Sequence, residues 1–142
     1  TEPVRVTQSV RAEELAVPQG DMMIVHLPPY PHSFASSGVY PSLAERRYAF
    51  EFPCEFESDF TINLSLPEGY DVAWLPEDMR ITTPDVIFEI SCDLDRDSHA
   101  VVWRRTVSVN ERSIPVDRYA QFKDSYDTLG SPKNRLVLLK KA

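Results

Sequence analysis

Four glycines in 142 residues leave little material for a phosphate-cradling loop, and neither GxGxxG nor GxxxxGK occurs, which excludes nucleotide sites of those kinds. Two cysteines are too few for a disulfide scaffold or a CxxC zinc pair. Positive charge is also short. Fifteen Lys and Arg against 22 Asp and Glu give a net charge of −7, the wrong sign for a nucleic-acid surface. No run approaches the roughly 20 apolar residues of a membrane helix. Neither a nucleic-acid partner nor membrane insertion is therefore expected. Proline is abundant instead, at 12 residues, which excludes long helices over most of the chain and marks strand ends and loops. At 42% hydrophobic and 26% charged, the chain has a globular composition, and its length suits a single domain, 1–142. It opens at Thr1 with neither Met nor a leader, so we expect a domain excised from the C-terminus of a larger multidomain protein, with residues 1–14 as an arm or linker.

The patterning is that of strands. Met22 to Leu27 is a short apolar run closed by Pro28 and Pro29, and Tyr30 to Leu43 reads as a long Pro/Ser loop. Tyr48, Phe50, Phe52, Cys54 and Phe56 alternate with mostly acidic neighbours, one face apolar and one solvated, with Pro53 marking an edge or a bulge. Ser58-Asp59 suits a turn or bend before a second strand carrying Phe60, Ile62, Leu64 and Leu66. Pro67 to Tyr70 is a turn, and Tyr70, Val72 and Trp74 make a short strand stopped at Leu75-Pro76. Asp85–Leu94 and Val101–Val109 form an antiparallel hairpin about the polar turn Asp95–Ser98. Arg105 interrupts its apolar register, which calls for a bulge or an edge from which it can snorkel. Tyr119, Phe122 and Tyr126 change the period to that of a helix over roughly 117–128, with Asp117 as N-cap and Gly130 as stop. A strand over Arg135–Leu139 ends the chain, apolar enough to be covered on both faces. These elements indicate an all-β fold: an immunoglobulin-like antiparallel β-sandwich with one short helix near the C-terminus.

No constellation of catalytic residues emerges. Cys54, His99 and then Asp117 or Asp124 follow a thiol-protease order, in which His activates the thiolate and Asp orients the His. But Cys54 falls mid-strand on an apolar face, not at a helix N-terminus, and reads as a core cysteine. Cys92 also falls on an apolar face, and either a disulfide to Cys54 or two free core thiols fits. Asp93, Asp95 and Asp97 have the spacing of calcium-loop ligands, but Ser98 and Arg104 stand where Gly and Glu are needed, leaving a charged hairpin turn. Trp74 and Trp103 occupy apolar registers and are expected in the core. Tyr30 and Tyr40 are the better candidates for a sugar-stacking surface. His26 and His32 are isolated from any second metal ligand, and Glu51, Glu55 and Glu57 make a solvated strand face that deters edge pairing. Lys133, Arg135, Lys140 and Lys141 form a basic end too small to imply a partner. The expectation is no catalytic residue, no metal and no cofactor.

The order of features from about Leu15 onward carries a resemblance. Arg46-Arg47-Tyr48, the unit from Leu66-Pro67-Glu68-Gly69-Tyr70 to Leu75-Pro76, and Ile114-Pro115 with Tyr119 before the terminal strand are its main elements. Together they resemble the C-terminal β-domain, itself of unknown function, of secreted bacterial transglutaminase-like proteins, although Ala49 stands where that family often has proline. The resemblance implies a non-catalytic accessory domain that packs on a papain-type core of the same polypeptide or helps present substrate. It also implies a periplasmic or cell-surface setting. A free-standing carbohydrate- or adhesin-type module, with a protein or glycan ligand, is the alternative. The accessory role predicts an exposed apolar patch, expected at the N-terminal arm or the Tyr30–Leu43 loop.

Overall fold

A computed structural model describes residues 15–28 and 41–142. Its elements are β1 (Ala16–Gln19), β2 (Met22–His26), β3 (Phe50–Glu51), β4 (Phe56–Ser65), β5 (Tyr70–Trp74), β6 (Met79–Thr82), β7 (Val86–Asp95), β8 (Ala100–Val109), β9 (Ser113–Ile114), α1 (Val116–Leu129) and β10 (Leu136–Lys141). The terminal arm and the greater part of the Tyr30–Leu43 loop, with Tyr30, His32 and Tyr40, lie outside the described residues.

Among the described residues three antiparallel sheets form, in the orders β1-β2-β10-β5, β3-β9 and β4-β8-β7-β6. Gly20, at φ +64°, turns β1 back onto β2, a conformation that costs glycine nothing. The ten-residue strands β7 and β8 pair along their whole length, as the period-two pattern demands. Val25, Val137 and Leu139 of the first sheet and Phe88, Ile90, Trp103 and Val107 of the third join one hydrophobic cluster, so the two four-stranded sheets make a sandwich. Helix α1 closes one end. Tyr119 and Phe122 enter an aromatic cluster in which the Phe50 and Phe122 rings lie 5.2 Å apart and the Phe52 and Phe122 rings 5.8 Å apart. The buried Asp85 carboxylate ties the helix to the β6–β7 turn through Arg118 at 2.7 Å.

The all-β sandwich, the long hairpin, the late helix and the terminal strand agree with the sequence pattern. Several details do not. The alternation from Tyr48 to Phe56 is not one strand: Phe50–Glu51 pairs with β9, Phe56 opens β4, and the chain bends at Pro53-Cys54 between them. Proline cannot donate to a ladder, and here it ends one. Conversely, β4 runs straight through Ser58-Asp59, held in register by β8 on every residue. Strands β6 and β9 are short, and pairing with β7 and β3 defines them rather than their own pattern. Asp117 is not the N-cap. Pro115 is, and Asp117 lies in the first turn, where its charge complements the helix dipole. Gly130 does end the helix, but at φ −75°, not with a left-handed turn.

Arg105 needs neither bulge nor edge. It occupies the interior strand β8, in unshifted register with Phe60 and Ile90, and is buried. Its guanidinium carbon lies 6.0 Å from the centroid of the Phe60 ring, within reach of a cation–π contact.

Candidate interaction surface

The catalytic trio is not assembled. Cys54 precedes β4, whereas His99 follows the far end of the same sheet, beside the Ser65–Ala100 pair. Ten residues of extended chain separate those ends by roughly 30 Å. Asp117 and Asp124 lie exposed on α1, whose N-terminal end is tied to Asp85 at the opposite end of that sheet.

The bend at Pro53 also corrects the reading of Cys54, which is exposed rather than in the core. Cys92 is buried as expected, and both thiols are free. Burial, followed by the nearby charges of Asp93 and Asp78, pushes the Cys92 thiol up to about 12. Ellman's reagent at mildly alkaline pH should therefore titrate Cys54 at once and reach Cys92 only after denaturant is added. Two equally fast thiols would mean that Cys92 is not in the core.

Asp93, Asp95 and Asp97 do not converge, and among the described residues no cluster of three metal-ligating side chains occurs. Asp95 instead ties its own turn. Its carboxylate accepts the Ser98 hydroxyl at 2.6 Å and the Asp97 amide at 3.0 Å. The Ser98 hydroxyl first, then the Ser98 and Asp97 amides, hold the Asp95 carboxyl below its ordinary 3.8. A depressed carboxyl favours the folded turn above that ordinary value, and the advantage fades as pH falls through the folded one. Ser98→Ala should move the Asp95 titration, followed by NMR, upward toward 3.8.

Trp103 is buried as expected, but Trp74 is 40% exposed. The cause is a bulge. Leu139 pairs with Val72 but Leu138 pairs with Trp74, so Ala73 is an extra residue in β5. Tyr70, Val72 and then Leu75 pack on the core, and Trp74 is turned out of it.

The exposed large apolar side chains gather mainly near the N-terminal end of α1. Tyr48 is 81% exposed, Leu43 55% and Val116 45%. Two contacts hold the chain before β3 in place there. The Tyr119 hydroxyl donates to the Leu43 carbonyl at 2.7 Å, and the Arg46 guanidinium covers Phe50 and Tyr119 at 5.1 and 5.5 Å from their ring centroids. The chain thus presents a tyrosine, a leucine and a valine to solvent around a rigid aromatic base, with Arg46 and Arg47 alongside. Leu43 belongs to the loop that was expected to carry such a patch. Tyr48 does not, because the sequence assigned it to the buried face of a strand.

Comparisons with known proteins address the family and the fold. Residues 21–139 match the model of a family described as a domain of unknown function with a solved structure, DUF3858. The fold is similar to part of the crystal structure of a "putative protease" from Parabacteroides distasonis, with a TM-score of 0.70 and 19% identity. That similarity covers 86% of this chain but only 24% of the other, so the chain spans about a quarter of the length of that protein. No curated protein is detectably similar to the chain.

Proposed function

Since the chain belongs to the DUF3858 family and its fold matches about a quarter of a longer chain, we propose that it is a non-catalytic accessory domain of a secreted, transglutaminase-like bacterial protein. Its partner is the papain-type core of the same polypeptide, and its setting is the periplasm or cell surface. The domain packs on that core or helps present substrate to it. The observation that carries this reading is the exposed apolar face of Leu43, Tyr48 and Val116 at the end of α1. Apolar side chains mounted on a rigid base and flanked by arginines have the composition of a docking surface rather than of a solvated end. The separation of Cys54 from His99 supports a role without chemistry of its own.

The test is hydrogen–deuterium exchange on the 142-residue chain and on the complete polypeptide that encodes it. Protection of residues 43–51 and 113–119 in the complete polypeptide is the expected result. If the complete polypeptide contains no papain-type core, or if this end exchanges equally in both samples, the reading fails.

A further inference from the structure

The two edge strands β5 and β6 belong to opposite sheets, and the chain crosses between them over residues 75–78. Between them lies a cleft of about 380 Å³, within the range of small-ligand pockets. Trp74 supplies its apolar wall, Glu77 and Asp78 its acidic side, and Thr128, Lys133 and Asn134 its far end. Three features fix this arrangement. The Ala73 bulge aims Trp74 into the cleft in place of the core. The Asp78 carboxylate accepts the Cys92 amide at 3.0 Å, in the place of the next ladder bond past the end of β6. The turn that carries Lys133 and Asn134 is tied from below by the buried Trp103, whose indole N–H donates to the Asn134 carbonyl at 2.9 Å. The Asn134 amide also caps the Thr128 carbonyl at 2.7 Å. Walls held in this way keep a site preorganised.

The chemistry of the walls narrows the ligand. Among the described residues, neither Glu77 nor Lys133 is engaged in an ion pair. A cationic ligand would meet Lys133, and an anionic one would meet Glu77 and Asp78. A neutral molecule rich in hydroxyls suits both, because each hydroxyl donates to a carboxylate and accepts from an ammonium. The exposed Trp74 indole in the lining further selects a ligand with one flat C–H surface. We propose that this cleft is a saccharide-binding site, with Trp74 as the stacking platform for a pyranose ring and Glu77, Asp78 and Lys133 as its hydroxyl partners. The site is distinct from the apolar face at the N-terminal end of α1 and does not depend on a docking role for that face.

The experiment is a calorimetric and intrinsic-fluorescence titration of the chain with maltose, cellobiose, mannobiose and N,N′-diacetylchitobiose. At least one of these should bind and change the Trp74 emission, while the buried Trp103 serves as the internal reference for an intact fold. Trp74→Ala should weaken binding at least about tenfold, and Glu77→Gln with Lys133→Ala should weaken it as well. Tyr48→Ala, at the other apolar surface, should bind as the parent does. If none of the four disaccharides binds, or if Trp74→Ala binds as tightly as the parent with Trp103 emission unchanged, the assignment is overturned.

Discussion

Trp103→Ala should lower the unfolding free energy by about 3–5 kcal/mol, the range for deleting a buried aromatic side chain. Trp103 is 2% exposed at the centre of β8 and meets Phe60 edge-on at 6.3 Å between ring centroids. Its indole also holds the turn that follows α1 through the Asn134 carbonyl. The substitution therefore leaves a cavity between the sheets and an unanchored turn at once. A domain of ordinary stability has roughly 5–15 kcal/mol in all, so the variant should melt many degrees lower in a thermal scan. Trp103→Phe separates the two contributions. It keeps most of the packing and loses the hydrogen bond, and should cost about 1–2 kcal/mol. A Trp103→Ala variant as stable as the parent would contradict the burial of this side chain.

Arg118→Ala should be the second large effect, about 2–3 kcal/mol, measured by urea unfolding. The Asp85 side chain is 2% exposed and Arg118 38% exposed, with 2.7 Å between them. Removing the arginine leaves a carboxylate in the interior without its counter-charge, which costs more than the pair itself contributes. The sharper expectation is the sign of the coupling. Adding Asp85→Asn to Arg118→Ala should recover stability, since an amide tolerates that site better than an isolated charge. The Asp85 backbone should be unaffected, because its carbonyl accepts the Asn110 and Glu111 amides in either variant. If the double variant is less stable than Arg118→Ala alone, the buried charge is not what makes the single substitution costly.

Both residues illustrate how much was legible in the chain. Trp103 shares the period-two spacing of Val101, Val107 and Val109 in a ten-residue strand, and its burial can be read from that spacing even though Arg105 interrupts it. Asp85 appears in the sequence only as the polar start of a strand. Its importance depends on a helix more than 30 positions away in the sequence, which local pattern cannot reveal. The surfaces argued to be functional were the least legible. Tyr48 and Cys54 have the spacing of a buried strand face, but Tyr48 precedes the start of β3 and the bend at Pro53 turns Cys54 out. Trp74 has the spacing of a core residue, and one bulged alanine in β5 reverses it.

The sequence by itself determined the class of the molecule: period-two alternation, prolines at strand ends and a single change of period near residue 117 admit an all-β sandwich with one helix. It also determined which chemistries are absent from its motifs. Tertiary structure alone decided which alternating side chains face the core, because a bulge or a bend shifts the face of everything that follows it. It decided as well that Arg105 lies in an interior strand over an aromatic ring, and that β5 and β6, neighbours in sequence, border opposite sheets with a cleft between them. Such features arise from pairing between distant segments, and a local pattern carries no record of which segments will meet.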